Sequence, residues 1–163
     1  MGDTKDNIFG GEKLVVALRR AAGFLLSAIL LGVVTGCELE RSDNGQLDGF
    51  WQLKTIDTLA TAGTCDMRYS NLTWAFQGKI LELRNATNIL RDYLMRFNHD
   101  GDSLIVNSPY IIARNSGDVR VDNPLMLAPF GINRLEEHFH ILHLSSSAMT
   151  LESDRLRLHF RKY

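Results

Sequence analysis

The chain has few cysteines and almost no net charge, and each shortage excludes a class of protein. Two cysteines among 163 residues cannot form the several disulfides on which small secreted scaffolds depend. The 18 Lys and Arg residues face 19 Asp and Glu residues, so no overall basic field exists to attract nucleic acid. Because 45% of the residues are hydrophobic, the composition also differs from that of a disordered chain. These properties indicate one globular domain.

No hydrophobic run is long enough to span a membrane comfortably, but a short one lies near the N-terminus. Residues 21–34 are 14 uncharged, mostly apolar positions that follow Lys13, Arg19 and Arg20. A transmembrane helix needs about 20 apolar residues. A positive flank, a short apolar core and small residues at its end are typical of a secretory signal peptide. We therefore predict a signal peptide at residues 1–36.

The signal ends in a tetrapeptide, Val34-Thr35-Gly36-Cys37, which resembles the lipobox of bacterial lipoproteins. The resemblance implies cleavage after Gly36 and lipid attachment at Cys37, so that lipid chains connect the protein to a membrane. Two or three acyl chains anchor a protein firmly, whereas one binds only marginally. The alternatives are that Cys37 is an ordinary thiol beside a signal sequence, or that the N-terminal helix is retained in a cytosolic protein.

A polar segment, residues 37–48, follows the lipobox and predicts a tether between the lipid and the folded domain. Its acidic residues directly after Cys37 resemble the surface-export signals of Bacteroidetes lipoproteins. The resemblance implies a lipid-anchored protein of the cell envelope, at the outer membrane, with the cell surface as one location. Once Cys37 is acylated, Cys65 has no intramolecular disulfide partner, and we expect a buried, inert thiol.

From residue 49 onward the chain consists of short alternating segments separated by turn residues. Apolar and polar residues alternate with a period of two, as in Trp51-Gln52-Leu53-Lys54-Thr55. This period predicts an antiparallel sheet with one buried face. Asp100-Gly101 predicts a tight hairpin, and residues 132–139 predict one short helix. About eight strands would hide their edges best by closing into a barrel, which we assign to residues 49–163.

Both ends of this barrel domain resemble a known family. The opening Gly49-Phe50-Trp51 looks like the first strand of lipocalins, which carries Gly-x-Trp. The ending, residues 149–163, resembles the last hairpin of lipocalin-like lipoproteins of Bacteroidetes. The resemblance implies an up-and-down antiparallel barrel of eight to ten strands, and an apolar cavity is compatible with it.

Nine large apolar side chains fall on the inward positions of the predicted strands. They could line a pocket for a small hydrophobic or amphipathic ligand. They could equally fill the barrel, since eight strands enclose just enough space for side chains or one ligand. The nine are Trp51, Leu53, Leu72, Trp74, Phe76, Leu81, Tyr93, Met95 and Phe97.

Candidate chemistry is sparse, and we predict neither an enzyme nor a bound cofactor or metal. His138 and His140 would share a strand face and could hold Zn²⁺, while His143 would point the other way. A third ligand such as His159 or Glu136 has no supporting spacing, so surface histidines are favoured.

The last strand carries a row of basic side chains on one face. We expect a solvated outer face, and contact with anionic lipid or polysaccharide is the alternative. The row consists of Arg155, Arg157, His159 and Arg161.

Together these patterns predict a membrane-anchored envelope lipoprotein whose barrel binds a small hydrophobic or amphipathic ligand. The alternative is a non-enzymatic interaction protein with a filled barrel, either an inhibitor or an accessory subunit of an outer-membrane complex.

Overall fold

Ten strands and three short 3₁₀ turns form the fold in the computed structural model, which describes residues 42–87, 89–113 and 117–163. The 3₁₀ turns are Gly45–Leu47, Pro124–Met126 and Ala128–Phe130. The strands are β1 (Gly49–Thr58), β2 (Gly63–Asp66), β3 (Leu72–Gln77), β4 (Ile80–Asn85), β5 (Tyr93–Asp100), β6 (Ser103–Ile111), β7 (Val119–Arg120), β8 (Glu137–Leu144), β9 (Ala148–Glu152) and β10 (Leu156–Lys162).

Eight of these strands close into an antiparallel barrel, as predicted. The order β1-β3-β4-β5-β6-β8-β9-β10 returns to β1 through a β1–β10 pairing. The other two strands extend the walls. β2 pairs with the second half of β1, beyond the residues that pair with β3, and β7 pairs with the end of β6, beyond those that pair with β8. Closure gives every barrel strand a partner on both sides along at least part of its length.

The two ends of the barrel differ in their connections. At the closed end, strands meet in two-residue turns, one of them the predicted hairpin in which Asp100 pairs with Ser103 across Gly101 and Asp102. At the opposite end, which we call the mouth, β1 continues into β2 and β6 continues into β7. The chain between β7 and β8 therefore starts and ends near the mouth.

Two β-bulges correct the predicted alternation of side chains. In β1, Leu53 pairs with Phe160 and Thr55 with His159, so Lys54 is the extra residue and Thr55 turns outward. In β8 the register shifts between Ile141 and His143. His143 consequently lies on the same outer face as His138 and His140, and the predicted opposite orientation is wrong.

The helix predicted at residues 132–139 is also wrong. The 3₁₀ turns precede this region, and β8 begins at Glu137 and pairs with β6. Glu137 and Phe139 are buried while His138 and His140 are exposed, which is the period of a strand. Pairing with β6 thus overrides the local sequence pattern.

The N-terminal part of the described chain packs more closely than a tether would. Leu47 is fully buried, and Asn44 donates from its amide to the carbonyl of Gly78 at 2.7 Å. The barrel's packing therefore starts within the predicted tether. Residues 1–41, including Gly36 and Cys37, lie outside the described residues. None of the helices in the described part of the chain is long and apolar enough to cross a membrane.

Cys65 is exposed at the edge of the fold, so the expectation of a buried thiol is wrong. It lies in β2, a four-residue strand whose residues are all exposed. β2 pairs with β1 alone, and no second layer covers it.

Candidate functional site

The nine predicted inward side chains lie together inside the barrel. Each is at most 5% exposed, and all nine belong to one hydrophobic cluster. The cluster joins the inner faces of β1, β3, β4 and β5, because the register aligns Trp51 with Trp74, Trp74 with Leu83, and Leu83 with Tyr93. Sequence alternation therefore identified these inward positions correctly, and they line the interior along β1, β3, β4 and β5.

Trp74 is the centre of the aromatic packing in this interior. Its ring centroid lies 5.1 Å from that of Phe160 and 5.8 Å from that of Phe139. Phe76 is 6.1 Å from Trp74 and meets Phe97 edge-on at 5.1 Å. These are the distances and tilts that aromatic pairs prefer. In this conformation the rings contact one another.

Residues 121–132, which we call the mouth segment, supply the interior with further apolar groups. Leu127, Phe130 and Ile132 are fully buried. The Phe130 ring lies 5.8 Å from that of Tyr93, and the Phe130 carbonyl accepts a hydrogen bond from Trp74 Nε1 at 3.2 Å. Sequence reasoning missed this segment, because its burial depends on partners far away in the chain.

The closed end is sealed by the turn that precedes β1. The Trp51 indole donates to the carbonyl of Leu47 at 2.7 Å. Lys162 Nζ donates to the carbonyl of Gln46, also at 2.7 Å, and lies 4.7 Å from the Trp51 ring centroid. The indole is therefore buried with its polar atom satisfied.

A cleft of about 230 Å³ lies near the mouth, where β7 and β8 diverge along one edge of β6. Neither strand pairs there with residues 107–109. Ser108 has φ +52°, a conformation that non-glycine residues adopt rarely. No pattern in the sequence predicts this cleft. It is lined by Asn107, Ser108, Pro109, Arg120, Val121, Leu135 and Glu136.

Comparison with known protein families matches residues 31–163 to the lipocalin-like domain. The chain belongs to the lipocalin-like domain family. Its predicted resemblance to lipocalins at residues 49–51 and 149–163 is confirmed at the level of the domain.

Two solved structures resemble the lipocalin-like barrel. The crystal structure of a lipocalin-like protein from Bacteroides uniformis matches with a TM-score of 0.56 and 19% identity, over 73% of this chain and 100% of that chain. An uncharacterized protein from Bacteroides eggerthii matches with a TM-score of 0.49 and 18% identity, over 71% of this chain and 98% of that chain. At such identity the first likeness supports the fold alone. A search of curated proteins finds no match.

Arg157, His159 and Arg161 lie on the outer face of the last strand of the lipocalin-like barrel, as predicted, whereas Arg155 lies in the turn that precedes it. Two members of this basic row have acidic partners. Arg157 contacts Glu152 at 2.6 Å, and His159 Nε2 lies 2.8 Å from Asp57 Oδ2. Asp57 also accepts a hydrogen bond from the Thr64 hydroxyl at 2.7 Å, which with His159 lowers the pKa of this carboxyl. Half of the row thus contacts a carboxylate, which favours the solvated face over a free cationic surface.

Two of the three outward histidines of β8 lie beside a carboxylate. His138 is 3.3 Å from Glu136, and His140 is 3.4 Å from Asp102. His159, considered above as a third zinc ligand, contacts Asp57 instead. Within residues 42–87, 89–113 and 117–163, no group of three or more His, Cys, Asp or Glu side chains is arranged to hold a metal ion.

Proposed function

We propose that this protein is a lipid-anchored lipoprotein of the bacterial cell envelope whose lipocalin-like barrel binds a small hydrophobic or amphipathic ligand. The observation that carries the ligand part is the construction of the mouth. A hydrophobic cluster is covered there by a segment that joins the barrel chiefly through side chains. A binding role also agrees with the lipocalin-like domain, which is typically not enzymatic.

The backbone of the mouth segment is bonded mostly to itself. Phe130 N donates to Leu127 O, and Gly131 N donates to Ala128 O. One bond, from Val121 N to Pro109 O, joins the start of the segment to β6. Outward displacement of residues 124–132 would therefore break few bonds to the barrel. It would open apolar space of the kind that ligand sites use, typically at least about 300 Å³.

The ligand's apolar part would then replace Leu127, Phe130 and Ile132 against Trp74 and Tyr93. The indole N–H of Trp74, freed from the Phe130 carbonyl, would become a hydrogen-bond donor to a polar group of the ligand. Amphipathic ligands suit such a site, because a few placed polar groups within an apolar lining fix orientation.

A fluorescent probe tests this site directly. Anilinonaphthalene sulfonate should bind the purified mature protein and take up energy from the buried tryptophans. Leu127→Ala should increase that transfer, because it weakens the cover over the interior. Leu125→Ala is the matched control, since Leu125 belongs to the same segment but is 75% exposed. Tryptophan emission that the probe disturbs in none of these proteins would contradict the ligand site.

A second candidate function is supported by the ring packing around Trp74. An interior in which rings already contact one another matches an interaction protein with a filled barrel, acting as an inhibitor or as an accessory subunit in the envelope. Native mass spectrometry of the purified protein separates the two functions. A co-purifying small molecule supports the ligand site, whereas a bare barrel that recovers an envelope protein in crosslinking supports the partner.

The proposed lipid anchor is supported by a positive flank and a short apolar run that are followed by Val34-Thr35-Gly36-Cys37. Cys37→Ser should release the protein from the membrane fraction and abolish labelling by palmitate. Cys65→Ser is the control, because this second thiol lies within the barrel domain and should leave labelling unchanged. Absence of labelled lipid in the parent protein would contradict the anchor.

A further inference from the structure

A carboxylate is withdrawn from water on the inner face of the barrel. Among residues 42–87, 89–113 and 117–163, Glu137 is the only acidic or basic side chain that is buried, at 1% exposure. It pairs across the sheet with Val106 of β6, which is fully buried. Opposed residues of neighbouring strands point to the same face. The Glu137 side chain therefore lies inside, as does that of Phe139 two residues later.

Only part of the hydrogen-bonding capacity of this carboxylate is used. Glu137 Oε2 accepts a bond from the backbone N–H of Asn133 at 2.8 Å. No other side-chain hydrogen bond and no ion pair of Glu137 is found in the described part of the chain. Every fully enclosed side-chain nitrogen or oxygen there has a partner. Oε1 is therefore a free acceptor that is not sealed off.

A buried carboxylate of this kind favours the binding of a cation. Buried charges in proteins are normally paired with an opposite charge or bound to a metal ion. The carboxylate of Glu137 is already withdrawn from water before any ligand arrives. A cationic ligand therefore adds only the desolvation of its own charged group, and its attraction to Glu137 acts in a hydrophobic surrounding where water screens it little.

The geometry around Glu137 favours an ammonium group over other cations. A bound metal ion needs several protein ligands, and the described residues hold no group of three or more His, Cys, Asp or Glu side chains placed to supply them. A guanidinium binds best to both oxygens of a carboxylate, and Oε2 is already bonded to Asn133. An ammonium group is a compact charge for which one free oxygen suffices.

The direction of β8 gives the orientation of the rest of the ligand. Glu137 lies at the mouth end of β8, whereas His140 pairs with Ser103 beside the hairpin of the closed end. Phe139 therefore lies deeper in the barrel than Glu137, and its ring is 5.8 Å from that of Trp74. A cation at Glu137 would place an attached apolar chain along these two rings.

We propose that the ligand of the barrel is an amphipathic amine, with its ammonium group at Glu137 Oε1 and its apolar chain along Phe139 and Trp74. This inference rests on the proposed function, because displacement of residues 124–132 gives the ligand its access. Asn133, which holds Oε2, follows the displaced residues, so the ammonium site persists when the mouth segment moves.

Calorimetric titration of the purified mature protein with octylamine, octanol and octanoate at neutral pH tests the ligand class. The three compounds share one apolar chain and differ in the charge of the head group. Octylamine should bind at least about tenfold more tightly than octanol, because close charge pairs in a desolvated site add affinity. Octanoate should bind no more tightly than octanol, because its charge has the same sign as that of Glu137.

Glu137→Gln separates the charge from the hydrogen bond. The amide oxygen can still accept from Asn133 N–H, while the charge is removed. Octylamine affinity should fall to about that of octanol, and octanol affinity should stay unchanged. Glu136→Gln is the matched control, because this neighbouring carboxylate is exposed and has His138 as its partner at 3.3 Å. It should leave the affinities of both compounds unchanged.

The outcomes distinguish this inference from the proposed function. Equal binding of octylamine and octanol, or octylamine binding that Glu137→Gln leaves unaltered, would overturn the ammonium site and still support an apolar ligand site. Absence of binding by all three compounds would overturn both. The comparison of the three compounds on the parent protein decides the question even where Glu137→Gln fails to fold.

Discussion

The two ends of the barrel are both sealed by a 3₁₀ turn that an indole N–H holds, but the turns differ in their distance along the chain. At the closed end, Trp51 donates to a carbonyl four residues away at 2.7 Å. At the mouth, Trp74 donates to a carbonyl 56 residues away at 3.2 Å. The closed end can therefore form together with β1, whereas the mouth segment needs a barrel to pack against. We therefore expect the closed end to open later than the mouth.

The contacts that hold the two turns in place also differ between the two ends. The closed end is fixed to distant strands by Asn44 at Gly78 and by Lys162 at Gln46, both at 2.7 Å. The mouth segment relies on the burial of Leu127, Phe130 and Ile132. Burial is non-directional, so apart from the bond between Trp74 and the Phe130 carbonyl little holds residues 124–132 to the strands. The contrast supports the mouth as the entrance to the interior.

Truncation of the two tryptophans should give the largest effects. Trp51→Ala and Trp74→Ala should each lower the free energy of unfolding by about 3–5 kcal/mol, the usual cost of removing a large buried aromatic. Trp74→Ala should lie at the upper end, because it loses three ring contacts and the bond to the mouth segment. Urea unfolding measures both. Tyr69→Ala, at an 85% exposed position, should change little.

The contrast between the ends also explains what the sequence could predict. Alternation placed Trp51, Leu53 and Trp74 inward because strand faces repeat every two residues. The bulge at Lys54 was hidden, since one extra residue changes the face of Thr55 without changing the composition. The mouth segment was hidden for another reason. Phe130 is buried by residues that lie far away in the chain, and no local pattern reports such contacts.

The candidate sites divide in the same way. The interior cluster could be predicted, because each member follows from the period of its own strand. The cleft could not, because it exists only where β7 and β8 separate along β6. Its lining residues come from three separate stretches, residues 107–109, 120–121 and 135–136, which have no common motif. Their meeting depends on the register of three strands, which one sequence does not specify.

Two glycines allow the packing at the two ends to be compared, with smaller expected effects than those of the tryptophans. A Cβ at Gly131, where φ is +83°, would lie 2.6 Å from Leu158 Cδ2. Gly131→Ala should therefore cost about 2–4 kcal/mol, from the left-handed backbone and from overpacking. Gly45, in the turn of the closed end, has φ +58° and no atom within 4 Å of such a Cβ. Gly45→Ala should cost only the backbone part, about 1–2 kcal/mol. Equal losses in urea unfolding would contradict the tight packing at the mouth.

Hydrogen exchange should show directly how readily the mouth segment opens relative to the barrel strands. We expect the amides of Phe130 and Gly131 to exchange through local opening at least about tenfold faster than those of Leu158 and Phe160, which corresponds to about 1.4 kcal/mol. The first pair bonds to Leu127 and Ala128 within its own segment, while the second pair lies in a strand paired on both sides. Equal protection would mean that the mouth opens only when the whole barrel unfolds.

Acid should produce the smallest effect, at the outer wall near the mouth. The hydroxyl of Thr64, and then His159, hold the pKa of Asp57 below its usual 3.8. A lowered pKa stabilises the fold above pH 3.8, and this contribution is lost as the pH falls through the pKa of Asp57 in the folded protein.

The hydrogen bond from Arg68 lowers the pKa of Asp66 further, to about 2. That pair is two residues apart and exposed, so the unfolded chain can form it too, and the contribution to stability largely cancels. Asp57 instead joins β1 to β2 and β10, contacts that only the folded barrel has. Asp57→Asn should therefore flatten the fall in melting temperature between about pH 4 and pH 2, while Asp66→Asn leaves that slope near the parent's. A larger change of slope in Asp66→Asn than in Asp57→Asn would show that the exposed Asp66–Arg68 pair governs acid stability, and not the contacts of Asp57 between the strands.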